Sequence, residues 1–111
     1  MRRFALLLWV CAAPAMAEEP MRVLPGPEIR AALTDRVVAY ENARQEFRAS
    51  GRTLYTFGGR DSWGSWRIEG DRYGSQCPPA DLWDCYDVFA LEDRVLFVGS
   101  DNNAVEGRYA D

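Results

Sequence analysis

Apolar residues follow two different spacings along this chain, and the first of them predicts a helix. Pro27 and Glu28 suit the first turn of a helix, where proline is tolerated and a carboxylate is favourable. Ile29 and Leu33 then fall on one side of it. We therefore predict one short helix, from Pro27 to Leu33.

From residue 35 onward the apolar spacing changes to a period of two, and turn-forming residues recur about every eight to twelve positions. This alternation predicts antiparallel strands, with Ser50-Gly51, Gly70-Asp71 and Glu92-Asp93 as two-residue hairpin turns. The predicted fold class is therefore mainly β, a small antiparallel meander or barrel with one short N-terminal helix.

The turns also predict which residues face one another across each hairpin. The first turn sets Phe47 opposite Leu54, and the second sets Ile68 opposite Tyr73. Each pairing fixes which side chains share a face, because side chains alternate strictly along a strand.

A wider turn between Cys77 and Cys85 is expected to set these two residues opposite each other, and therefore Tyr73 opposite Phe89. The last turn then sets Phe89 opposite Leu96. The resulting core face consists of Trp66, Ile68, Tyr73, Phe89, Leu96 and Val98.

The opposite face of the same strands is more apolar than a solvated face should be. Its residues are Tyr86, Val88, Ala90, Val95 and Phe97. Two explanations stay open. The helix or the N-terminal hairpin packs over this face, or a partner protein or apolar ligand covers it.

The N-terminus has the pattern of a secretory signal peptide over residues 1–17. A charged start is followed by about ten apolar residues and by the small-residue site Ala15-Met16-Ala17. We expect export to the periplasm or out of the cell. Residues 18–26 are then a flexible tether, and 27–111 form a single β-rich domain.

The composition disfavours several classes of function. Without its signal peptide the chain has eleven arginines and seventeen acidic residues, a formal charge of −6, which disfavours nucleic acid and anionic lipid as partners. The chain contains no histidine and no recognisable catalytic, metal or cofactor motif. We expect no cofactor, no metal, no assigned catalytic residue and no membrane span in the mature chain.

Cys77 and Cys85 remain after export, because Cys11 lies within the signal peptide. In an oxidising compartment this pair predicts one disulfide that closes a small loop. A redox-active pair is the alternative, although such pairs commonly have C-x-x-C spacing.

Aromatic and acidic residues around the cysteines form the candidate binding site. Trp63 and Trp83 are predicted to lie in loops, where exposed rings stack on a glycan or a protein of the cell envelope. Asp84 and Tyr86 lie beside them in the sequence. Rings that close one end of the barrel are the alternative. Hydrolysis by Asp84 or Asp87 would require a groove and a raised pKa.

The run from Trp63 to Tyr73, followed by Cys77, Trp83 and Cys85, resembles small exported bacterial β-rich domains of uncharacterised function, which carry a G-x-W hairpin and a cysteine pair. The likeness covers about residues 34–109 and implies a periplasmic domain without a settled activity. We expect a non-enzymatic binding or inhibitor module. A small carboxylate-dependent cell-envelope hydrolase is the alternative.

Overall fold

The computed structural model describes residues 20–76 and 82–111, and this part of the chain contains nine strands and one helix. In chain order the elements are β1 (Arg22–Val23), α1 (Gly26–Leu33), β2 (Arg36–Ala39), β3 (Ala43–Phe47), β4 (Arg52–Phe57), β5 (Arg60–Glu69), β6 (Arg72–Gln76), β7 (Asp84–Leu91), β8 (Arg94–Gly99) and β9 (Ala104–Tyr109). The predicted signal peptide and Cys77 lie outside the described residues.

Strands β2 to β9 form a closed antiparallel barrel. Each strand pairs with its neighbours in the chain, and β9 returns to β2 with Tyr109 opposite Val38. The short strand β1 pairs with β7 beyond the point where β6 ends, with Val23 opposite Phe89. Closure removes the free edges that a flat sheet would expose. The predicted fold class, mainly β with one short helix, is confirmed.

Helix α1 closes one end of the barrel. Ile29 and Leu33 are fully buried against the strands. The Gly26 N–H donates to Asp71 Oδ1 at 2.8 Å, and the Tyr109 hydroxyl donates to the Ala32 carbonyl at 2.8 Å. The helix is therefore held to the strand ends by hydrogen bonds as well as by its apolar side.

The segment before the helix is part of the fold. Residues 22–26 were expected to belong to a flexible tether, but they include strand β1 and the buried Leu24, whose N–H donates to the Val88 carbonyl at 2.8 Å. Gly26 is already helical, and a Cβ there would overlap the carbonyl oxygen of Gly70. Only glycine lets the helix lie this close to the strands.

Two of the predicted hairpins have the predicted register. Ile68 lies opposite Tyr73, and Phe89 lies opposite Leu96. In both cases a two-residue turn joins the strands, and its first residue has a positive φ, +62° at Gly70 and +58° at Glu92. These turns suit the twist of an antiparallel pair.

The register predicted for the β3–β4 hairpin is wrong by one residue. Phe47 faces Thr53 rather than Leu54, because the loop contains three residues. Gly51 has a φ of +95°, its N–H donates to the Arg48 carbonyl at 2.9 Å, and the Arg48 N–H donates to the Arg52 carbonyl at 2.9 Å. A turn followed by a left-handed glycine makes such a loop. The slip turns Thr53 toward the barrel interior.

The register predicted for β6 and β7 is also wrong. Tyr73 faces Tyr86 rather than Phe89, a shift of three residues. Because three is odd, the shift exchanges the two faces of β7 and β8, and it places Phe89, Leu96 and Val98 outside. The interior takes the second apolar face instead, which is Tyr86, Val88, Ala90, Val95 and Phe97. Closure of the barrel therefore buries most of that face, with Val88 and Val95 fully buried.

The same shift changes the surroundings of the cysteines. Gly74, not Cys77, lies opposite Cys85, and Cys85 has a free thiol in the structure. Cys77 lies outside the described residues. A disulfide between the two cysteines therefore stays a prediction.

Candidate functional site

Trp63 lies within β5 and not in a loop. It points away from the barrel interior, since it is three residues from the buried Trp66, and it is 41% exposed. The guanidinium carbons of Arg48 and Arg52 each lie 5.2 Å from its ring centroid. The two arginines therefore cover part of the ring that a glycan would need.

Trp83 packs on the outer surface at a different position. The guanidinium carbon of Arg67 lies 3.9 Å from its ring centroid, and a Cβ added at Gly74 would lie 3.4 Å from the ring. Arg67 is four residues along β5 from Trp63, about 13 Å at the rise of a strand. The two predicted tryptophans therefore do not form one site.

Asp84 and Asp87 lie on opposite faces of β7, because three residues separate them. Asp84 shares the inner face with Tyr86 and is exposed at the strand end, opposite Ser75. Asp87 lies outside, where its Oδ1 is 3.3 Å from Arg72 Nε. The two carboxylates cannot act as a pair on one substrate.

The residues that the structure describes leave the end of the barrel opposite α1 open. The turns at 48–52, 70–71 and 92–93 lie at the helix end, and the connections at 40–42, 58–59 and 100–103 lie at the other. A cavity of about 290 Å³ opens between the latter. We call this cavity the cup. It is lined by Tyr40, Gln45, Tyr55, Tyr73, Ser75, Tyr86, Phe97 and Val105.

A chain of hydrogen bonds crosses the wall of the cup. The Tyr40 hydroxyl donates to Gln45 Oε1 at 2.7 Å, and Gln45 Nε2 donates to Thr53 Oγ1 at 2.9 Å and to the Tyr73 hydroxyl at 3.2 Å. Gln45 is 7% exposed and Thr53 is fully buried. A buried amide with its partners in place is held in one orientation.

Aromatic rings make up most of the remaining wall. The ring centroid of Tyr73 lies 5.3 Å from that of Phe97 and 5.8 Å from that of Tyr86, and the Tyr40 and Tyr55 centroids are 6.5 Å apart. These distances are typical of tilted and edge-to-face ring contacts. The rings support one another, and the cup therefore has a fixed shape.

The cup has no charged lining group among the described residues. Burial raises the pKa of the Tyr40 phenol above its ordinary value of 10.0, and Tyr73, Tyr55 and Tyr86 act in the same direction. Tyr40 therefore stays a neutral hydroxyl over the physiological pH range. The deep wall is polar but uncharged.

Apolar side chains lie at the open end of the barrel together with the Asp84 carboxylate. Phe57 at the end of β4, Leu82 before β7 and Val105 in β9 are 57%, 75% and 47% exposed. All three lie at the open end. A ligand that enters the cup therefore passes these apolar side chains and Asp84 before it meets Gln45 and Tyr40 deeper inside.

Among residues 20–76 and 82–111 there is no cluster of three or more side chains that would hold a metal ion. In the same part of the chain, no helix has the length and apolar character needed to cross a membrane. No family model matches the chain, and neither a curated protein nor a solved structure matches it.

Of the four residues predicted to bind, the structure places Tyr86 in the cup and Asp84 near its rim, with Trp63 and Trp83 outside. Sequence reasoning missed Tyr40, Gln45 and Tyr55. The signal that would have found Gln45 and Tyr55 is the corrected β3–β4 register, which sets them opposite each other on the inner face.

Proposed function

We propose that this protein is an exported, non-enzymatic binding module that works in the periplasm or outside the cell and holds a small ligand in the cup. The observation that supports this proposal is the difference between the barrel ends. One end is filled by α1, whereas the other is concave, aromatic and uncharged. Sites of this kind bind small molecules through apolar area and a few placed polar groups.

The chemistry of the lining supports binding rather than catalysis. A hydrolase of the kind expected from Asp84 and Asp87 needs two carboxylates facing one bond, and these two face away from each other. The described lining of the cup offers phenols, an amide, a serine and apolar groups. The described lining contains no carboxylate and no imidazole, the side chains that most often act as a general base.

The volume of the cup limits the size of its ligand. An apolar cavity of about 150 Å³ holds one benzene ring. The cup, at about 290 Å³, therefore has room for one ring with a short substituent. It lies at the lower end of the usual range for small-molecule sites.

A substitution that fills the cup tests this proposal. Val105 lines the cup but is 47% exposed, and Val105→Trp is therefore expected to block the cup with little loss of stability. Ala104→Trp is the matched control, because the neighbouring side chain points outward. One-ring aromatic compounds are screened by ligand-observed NMR against the full chain and both variants.

We expect the parent protein and Ala104→Trp to bind some of these compounds and Val105→Trp to bind none. Binding that Val105→Trp leaves unchanged would place the site elsewhere. The absence of any bound compound would contradict the proposal itself.

A further inference from the structure

The direction of every hydrogen bond around Gln45 follows from one buried threonine. Thr53 Oγ1 has a single proton, which it donates to the Glu46 carbonyl at 2.8 Å. It can therefore only accept from Gln45, and this requires Nε2 of the amide to face Thr53. The amide oxygen, Oε1, is then turned toward Tyr40.

In this orientation every N–H of the Gln45 amide and the O–H of Tyr40 already donate a hydrogen bond within the protein. The second N–H of Gln45 Nε2 donates to the Tyr73 hydroxyl at 3.2 Å, and the one proton of the Tyr40 hydroxyl goes to Gln45 Oε1 at 2.7 Å. What remains on these two residues is acceptor capacity, a second lone pair on Oε1 and the lone pairs of the Tyr40 oxygen.

A wall of this kind discriminates between polar groups. Where it faces Gln45 and Tyr40, a ligand oxygen that only accepts would lose its water and gain no hydrogen bond from these two residues, which is costly in a buried site. A ligand O–H or N–H would find an acceptor already in place. This part of the wall is therefore complementary to donors, whereas the hydroxyl groups of Tyr55, Tyr73, Ser75 and Tyr86 can both donate and accept.

We infer that the ligand of the cup has an apolar body of about one ring and carries an O–H or N–H donor at the end that enters first. This inference rests on the proposed function and names its ligand class. The trailing end of the ligand then lies beside Val105, which lines the cup and is 47% exposed.

Neutral hydroxyls and ammonium groups both supply the required donor. The ring faces of the cup and the net acidic charge of the chain favour a cation, whereas the uncharged lining favours a neutral group. A carboxylate is neither a cation nor a neutral group, and it has no donor. Both kinds of ligand therefore share a hydrogen-bond donor, and one neutral and one cationic compound distinguish between them.

Three compounds of similar shape test the inference by calorimetric titration of the full chain. They are 4-methylphenol, a neutral donor, 4-methylbenzylamine, a cationic donor, and 4-methylanisole, whose oxygen only accepts. At least one donor compound is expected to bind roughly tenfold more tightly than 4-methylanisole, the difference that one buried hydrogen bond makes. The donor compound that binds more tightly shows whether the cup prefers a neutral hydroxyl or an ammonium group.

Equal or tighter binding of 4-methylanisole, lost in Val105→Trp, would overturn the donor inference while leaving the cup as a binding site. If none of the three compounds binds and the wider ring-compound screen is also negative, the proposed function itself fails. The two failures are therefore distinguishable.

Thr53→Val tests the origin of the preference. It keeps the shape of the side chain and removes the oxygen that orients the Gln45 amide, which is then free to turn Nε2 toward the cup. We expect the preference for the donor compounds to fall to within about twofold of 4-methylanisole.

Thr56→Val is the matched control, because Thr56 lies on the outer face of β4 and donates to Asp61 Oδ1 at 2.6 Å. It should keep the full preference. An unchanged preference in a folded Thr53→Val would contradict the inference. If that variant does not fold, the comparison of the three compounds on the parent chain decides alone.

Discussion

The two ends of this barrel are built from the same strands and differ in what their inward side chains do. At the closed end, Ile29 and Leu33 of α1 fill the interior and are fully buried. At the open end, Tyr40, Gln45 and Tyr55 surround a cavity. Two residues along β3, about 7 Å, separate the buried Phe47 from the amide of Gln45.

Stability and binding therefore depend on separate layers of one barrel interior. An apolar layer needs only to be filled, whereas the cup needs polar groups with fixed partners. Substitutions at the closed end should therefore change the free energy of unfolding, and substitutions at the open end should change affinity and selectivity.

Leu33→Ala should have the largest effect on stability. The side chain is fully buried at the closed end, and its removal is expected to lower the free energy of unfolding by about 2–5 kcal/mol. That is a large share of the roughly 5–15 kcal/mol typical of a small domain. Denaturant unfolding measures it.

Arg30→Ala, an exposed position of the same helix, is the control and should change stability by less than about 0.5 kcal/mol. Under conditions where Leu33→Ala is folded, its affinity for cup ligands should equal that of the parent chain. A loss of affinity in the folded variant would contradict the separation of the two ends.

Gly107→Ala should affect stability and binding at once. A Cβ there would overlap Cγ1 of the buried Val38 and lie 3.0 Å from Cε1 of the cup residue Tyr40, and both side chains would have to move. We expect a loss of about 1–3 kcal/mol in stability together with weaker ligand binding.

Gly74→Ala is the matched control, since the nearest atom to its added Cβ is Trp83 Cε3 at 3.4 Å, an ordinary contact on the outer surface. Thermal unfolding and calorimetric titration of both variants check the prediction. The prediction would be refuted if Gly107→Ala had the same thermal stability and the same ligand affinity as Gly74→Ala.

The smallest predicted effect concerns an ion pair where β2 and β9 meet at the closed end. Arg36 Nε donates to Asp111 Oδ2 at 2.9 Å, and this hydrogen bond lowers the pKa of Asp111 to about 2 from 3.8. Because the pKa is lower in the folded chain, the stabilisation is complete above about pH 4 and is lost as the pH falls through about 2.

NMR titration that follows the side-chain carboxyl carbon of Asp111, Cγ, measures this pKa directly. Arg36→Ala should raise it toward 3.8 without altering binding in the cup. Arg108→Ala is the control, because Arg108 pairs with Asp93 at 3.3 Å, and should leave it unchanged. A titration midpoint near 3.8 in the parent chain would refute the prediction.

The sequence predicted local structure better than long-range geometry. The helix and the turns at Gly70-Asp71 and Glu92-Asp93 depend on neighbouring residues, and they were predicted correctly. The β3–β4 register failed because one glycine in a left-handed conformation adds a residue to the loop, which the residue types alone do not reveal.

The candidate site could be predicted only in part, for a physical reason. Tyr86 was identified by its aromatic character, but its place in the interior depends on a shift of three residues between β6 and β7. Tyr40 and Gln45 become site residues because the pairing of β9 with β2 closes the barrel around them. That closure is a tertiary contact without a short-range sequence signal.

Mapping the backbone amide shifts of the full chain during titration with 4-methylphenol tests the division between the two ends most directly. We predict that the perturbed amides cluster at the open end, around Tyr40, Gln45 and Val105, and that those of α1 stay unchanged. Perturbations centred on α1 or on the outer surface at Trp63, or none anywhere, would contradict it.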